Sequence, residues 1–305
     1  MPEQHPDAVR TDAFDASGPV DIDVDIPFGR VAVHLGETSG SVEIRHDPGA
    51  QLPWTESVAG ILSWVGDRFG TGDSAGSPEE AIGQCRIEHE ARIDHDPVTL
   101  VVRGPQALPL HGVPLAVTVH APAGSAVRVR AAAGPVTVTG TAHRLEVTTG
   151  AGEVRVGDAD GPATIRAGSG DVTAGALRGG AQLRASRGAV TIAALPATGS
   201  VTGAGGAVRL GEVAGDVLVR TSSGDVTVAD AVAGSLEATT GSGTIRIGIR
   251  SGVAAEIDLS SGSGRATSEL DVADRTPDRD VPLAVRARTG SGDAVVTRAV
   301  VTAAG

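Results

Sequence analysis

Lysine and tyrosine are absent from this 305-residue chain, and aromatic residues make up only 2% of it. A core therefore has to be filled by Val, Ile, Leu and Ala. All 25 basic side chains are arginines. Without lysine there is no P-loop, and a dinucleotide GxGxxG turn would have to lead into a helix, whereas strand-like segments follow the glycines here. Cys85 is the single cysteine, which excludes an intrachain disulfide and fits a reducing compartment. No run approaches the ~18 consecutive apolar residues of a membrane helix. The first 18 residues are polar and acidic, without the apolar stretch of a signal peptide. The expectation is a cytoplasmic protein with no stable membrane insertion.

Acidic charge is concentrated at the front. Residues 1–98 hold 19 Asp or Glu against 6 Arg, and residues 99–305 hold 18 against 19. An acidic segment joined to a neutral body repels phosphate, which argues against nucleic acid as a partner.

What the chain has in abundance is glycine, 43 residues, together with Val and Thr. Gly134, Gly152, Gly170, Gly188, Gly206 and Gly224 follow one another at 18-residue intervals, with Gly243, Gly264 and Gly292 at wider spacing. After each, the second and fourth residues are apolar, as in Val136/Val138, Val190/Ile192 and Ile245/Ile247. A less regular apolar pair precedes the glycines, as in Leu145/Val147 and Val217/Val219. Alternation of this kind is the period of a strand with one buried face. One such unit cannot bury its face alone, so the units are expected to stack. The reading is an all-β fold: a β-solenoid of ~nine stacked short-strand units over residues 124–305, at about 4.8 Å per layer.

Among the turn variants, GSGD, SSGD, SRGA, AAGP and others, only the glycine is fixed. A structural corner is expected, with glycine supplying positive φ and the Ser and Asp side chains capping neighbouring N–H groups. A calcium ladder is excluded, because Asp171 and Asp225 fall three layers apart, roughly 14 Å.

Outward positions carry ladders of Thr and Arg. Arg166, Arg184 and Arg220 are the candidate contact residues on this face, as guanidinium forks for an acidic protein partner. Plain solubilisation of a flat sheet is the competing explanation.

Residues 1–15 read as a polar tail, and residues 16–123 as a smaller β region. Within it, residues 52–69 place Trp54, Val58, Ile61, Leu62, Val65 and Phe69 at helical spacing, with 70–78 as a flexible loop. Trp54, Ile61 and Trp64 are further candidate contacts, if this helix docks on a partner rather than covering the sheets.

Catalytic signals are thin. Residues 88–96, EHEARIDHD, gather His89, His95 and several acids, but lack HExxH spacing and read as a solvated strand. No clustered carboxylates with stacking aromatics are present for sugar cleavage. The expectation is no catalytic residue, no metal and no cofactor. The alternative is a metal-dependent or carbohydrate-active enzyme centred on residues 88–96.

The run at 248–299, the SGDVTV turns and the opening FDASGPVDIDVDIPFGRVAV resemble the DUF4097 family of β-strand-repeat proteins in its actinobacterial form. The resemblance implies a β-solenoid-like fold and the family label "putative adhesin", with no catalytic residues to transfer. The function expected is a non-enzymatic scaffold or adhesin-like binder of a protein partner. The apolar segment 294–301 is expected to leave an open edge through which copies of the chain associate.

Overall fold

Alternating apolar and polar residues, punctuated by glycine corners, coil this chain into layers of two short strands. The computed structural model describes residues 9–49, 77–90, 98–107, 110–270 and 281–299. The first repeat layer is β7 (Ala126–Ala133) and β8 (Val136–Ala142), joined at the Gly134 corner. Stacked on it in chain order are β9 (Arg144–Ala151) with β10 (Val154–Ala159), β11 (Ala163–Ser169) with β12 (Val172–Ala176), and β13 (Ala181–Arg187) with β14 (Val190–Leu195). Then come β15 (Gly199–Gly205) with β16 (Val208–Val213), β17 (Val217–Ser223) with β18 (Val226–Ala231), and β19 (Gly234–Ser242) with β20 (Ile245–Ile249). The odd-numbered strands form one parallel sheet, sheet 1, and the even-numbered strands the other, sheet 2.

The parallel register aligns like with like. Val136, Val154, Val172, Val190, Val208 and Val226 form one buried column of sheet 2. Val129, Val147, Ile165, Leu183, Val201 and Val219 form a buried column of sheet 1. A third column, not apparent from the glycine-centred alignment, runs through Ala159, Leu177, Leu195 and Val213 at the far end of sheet 2, all fully buried. It packs beside the start of the sheet 1 strands: a Cβ at Gly199 would lie 2.4 Å from Leu195 Cδ2. Each such leucine contributes about 1.5–3 kcal/mol by leaving water.

The C-terminal layers are transposed. β23 (Leu283–Ser291) and β24 (Ala294–Arg298) pair with β19 and β20, while β21 (Ala255–Ser261) and β22 (Ala266–Ser268), earlier in the chain, lie beyond them. The eighteen strands from β7 to β24 thus make nine layers, as the repeat predicts. The expected open edge at 294–301 is not where the sheet ends: β24 lies between β20 and β22, and the described end falls on β21 and β22. Ile257 and Leu259, on the inward side of β21, are only half-buried.

At the other end β2 (Asp21–Leu35) supplies a whole layer, its first half pairing with β7 and its second with β8. It turns at Gly29, whose φ is 123° and where a Cβ would lie within 2.5 Å of the Leu115 backbone. β5 (Thr99–Arg103) and β6 (Leu115–Ala121) add a further parallel layer. The direction then reverses: β3 (Gly40–His46) pairs antiparallel with β6, β4 (Arg86–Glu90) antiparallel with β5, and β1 (Val9–Phe14) antiparallel with β3. β1 occupies residues read from sequence as polar tail; its register is set by β3 rather than by its own pattern.

Part of the loop expected at 70–78 opens a helix instead. The Ser77 hydroxyl accepts the Glu80 N–H at 3.1 Å and Pro78 takes the first turn of α1 (Pro78–Gln84), an N-cap arrangement. Ala81, Ile82 and Cys85 are buried in the same hydrophobic cluster as the solenoid core. The helix expected at 52–69, with Trp54, Ile61 and Trp64, lies outside the described residues.

Candidate functional site

The Ser-Gly-Asp corners are braces between layers. Asp171 Oδ1 accepts the Ala189 N–H at 2.8 Å, Asp225 Oδ1 that of Thr244 at 2.8 Å, and Asp293 Oδ1 that of Arg265 at 2.9 Å. In each case the donor follows the corner glycine of the next layer in space. For Asp293 that layer is earlier in sequence, so the brace follows the stack and not the chain. Just before the corners, buried Thr149, Thr221, Thr240 and Thr289 each donate a hydroxyl hydrogen bond to the carbonyl two residues on, at 3.0–3.2 Å. These carboxylates and hydroxyls are committed to the backbone.

The outer surface of sheet 1 has free chemistry. Register places Asp25, Arg130, Thr148, Arg166, Arg184, Thr202, Arg220, Thr239 and Arg288 in one line along the stack. A second line, two residues earlier in each strand, reads Asp23, Arg128, Glu146, Thr164, Gln182, Ser200, Leu218, Glu237 and Arg286. Where acids occupy the second line, the arginines are balanced. Arg103 makes a two-pronged contact with Asp23 at 2.8 and 2.9 Å, and Arg128 meets Glu146 at 2.9 Å. Arg286 and Arg288 share Asp258 at 3.1 and 3.5 Å. The Arg103 guanidinium holds the Asp23 carboxyl below its ordinary pKa, against the opposing effect of burial.

In the middle of the face the second line is neutral. Arg166 and Arg184 are direct neighbours in parallel register, flanked by Thr164 and Gln182, and neither has an ion pair among the described residues. Arg187, at the end of β13, is likewise exposed and without an ion pair there. Like charges directly opposite each other across strands cost stability. The three arginines singled out by sequence are therefore not equivalent. Arg166 and Arg184 stand together, whereas Arg220 lies 3.8 Å from Glu237 and is partly balanced. Arg187 was hidden from sequence because it falls in the variable corner SRGA, outside the outward-facing positions of the repeat.

Of residues 88–96, only the first three are described. Glu88 is engaged by the Arg86 guanidinium, His89 is exposed, and 91–97 lie outside the described residues. No group of three His, Cys, Asp or Glu side chains suited to hold an ion occurs among the described residues. Cys85 is buried, donates Sγ–H to the Ala81 carbonyl at 3.3 Å, and burial pushes its thiol up to about 11. No helix among the described residues is long and apolar enough to cross a membrane.

The stacked layers, glycine corners and parallel sheets define a β-solenoid of repeat type. Residues 125–297 match the family described as Toastrack DUF4097, and the chain belongs to that family. Among solved structures, a "putative adhesin" from Bacteroides fragilis is 11% identical with a TM-score of 0.40, covering 95% of this chain and 97% of its own. A "putative lipid binding protein" from Parabacteroides distasonis is 9% identical with a TM-score of 0.30, covering 96% and 95%. A "putative cell adhesion protein" from Clostridium sporogenes is 9% identical with a TM-score of 0.23, covering 96% and 100%. The comparison with curated proteins gave no match.

Proposed function

We propose that the protein is a non-enzymatic, adhesin-like scaffold whose sheet 1 surface receives an acidic segment of a partner protein at Arg166 and Arg184. The observation that carries this reading is the neutral stretch of the second line: elsewhere on the face the aligned arginines meet carboxylates, and here two stacked guanidiniums have none among the described residues. A planar fork matches a carboxylate two-to-two, so an incoming acidic strand would supply the counter-charges that the fold omits. The acidic front of the chain and its neutral body disfavour nucleic acid in this role.

The test compares capture of crosslinked partners by the wild-type chain and by an Arg166→Gln, Arg184→Gln variant. Loss of the same partners in the variant and in raised salt supports the reading, while folding stability stays unchanged or rises slightly as the like-charge contact is removed. Undiminished, salt-insensitive capture by the variant refutes it.

A further inference from the structure

On the opposite face of the solenoid, near its N-terminal end, two histidines stand side by side. His34 of β2 and His120 of β6 are register partners, with ring centroids 5.0 Å apart and planes only 29° from parallel. Each Nδ1 has a polar neighbour. His34 Nδ1 lies 2.9 Å from Thr139 Oγ1, and His120 Nδ1 faces the Glu37 carboxylate at 3.8 Å. These four side chains, with Leu35 and Gly36, line a single surface depression.

Each histidine thus has a polar group on its Nδ1 side, the side that faces away from a metal held by Nε2. With the proton on Nδ1 the lone pair is on Nε2, the form that ligates metal. We infer that His34 and His120 form a two-imidazole site for a borderline divalent transition-metal ion, Zn²⁺ or Cu²⁺. Metal–nitrogen bonds of about 2.0–2.1 Å require the two nitrogens within roughly 4.2 Å. The 5.0 Å centroid spacing puts the two rings close to that span. Water completes the shell. Two nitrogens and no thiolate select Cu²⁺ over Zn²⁺ and reject Mg²⁺. The site is separate from Arg166 and Arg184, which are on sheet 1.

Isothermal titration of untagged full-length protein with ZnCl₂, CuCl₂ and MgCl₂ tests this, alongside the variants His34→Gln, His120→Gln and, as control, His89→Gln. The expected result is one equivalent of Zn²⁺, Cu²⁺ bound more tightly, and no response to Mg²⁺. Either site variant should weaken binding by roughly tenfold or more, and the control should leave it unchanged. Substoichiometric Cu²⁺ should also broaden the His34 and His120 ring resonances of the wild-type protein before those of other histidines, a readout independent of any variant. No Zn²⁺ or Cu²⁺ binding, binding by both site variants as tight as that of the wild type, or broadening that begins at other histidines overturns the inference.

Discussion

Replacing Gly188 by Ala should be one of the most damaging single-methyl additions in the chain. Its φ of 114° belongs to a region that side chains rarely enter, at a cost of order 1–3 kcal/mol. An added Cβ would lie 2.1 Å from the carbonyl oxygen of Gly170 in the layer below. Ordinary contact begins near 3.4 Å, so the layers would have to part by roughly 1.3 Å at this corner. The backbone bonds from Gly170 N to Arg187 O (3.1 Å) and from Val172 N to Ala189 O (2.8 Å) straddle the corner and would be lost or stretched. At about 1 kcal/mol each, they bring the total to roughly 4 kcal/mol. Restricting the unfolded chain returns about 0.4–1 kcal/mol, leaving a net loss of about 3 kcal/mol. Gly205→Ala is the control, because a Cβ there meets nothing nearer than Ser223 Oγ at 3.7 Å. It should stay within about 0.5 kcal/mol of wild type. Urea unfolding gives the global figure, and hydrogen exchange at Val172 and Val190 detects local opening, which a stacked array permits. Equal stability and equal exchange in the two variants would refute the stacking geometry.

Asp293→Ala removes the acceptor for the Arg265 N–H and should cost about 1 kcal/mol. Exchange should accelerate across 255–268 but not across 163–195, and uniform acceleration would contradict the layer order. Asp23 has its folded pKa lowered from 3.8, first by the Arg103 hydrogen bonds, so its stabilisation is complete above that value and fades as pH falls through the lower folded one. Melting temperatures of wild type and Asp23→Asn should therefore converge with acidification below about pH 4, and a constant difference would remove the linkage. Cys85, buried with its thiol raised to about 11, should resist a disulfide reagent near pH 8 until guanidinium chloride unfolds the chain. Prompt labelling of the native protein would show that α1 does not hold it.

Much of the solenoid was legible because its rules are local. A glycine corner, an apolar-polar alternation and a fixed interval define each unit, and parallel register repeats the same contact layer after layer. The third column through Leu177 and Leu195 was less visible, since it lies at the far end of each unit, away from the glycines that anchor the alignment. Val9–Phe14 gave no alternation strong enough to announce a strand, because β1 is fixed by its antiparallel partner β3. The short α1 was masked by Gly, Ser and Pro, which suit a loop as readily as a helix start.

The sequence by itself determined the unit: its length, its two strands, its glycine corner and which side chains face inward, since φ preference and side-chain alternation are set within a few residues. Tertiary structure alone decided the order of the layers. Placing β23 and β24 beneath β21 and β22 depends on which exposed edge a strand meets, and any parallel strand of the same period could dock there. The same step decided the charge pattern. Arg166, Arg184 and Arg220 look alike in sequence, and only the register that sets Gln182 beside the first two and Glu237 beside the third makes them different.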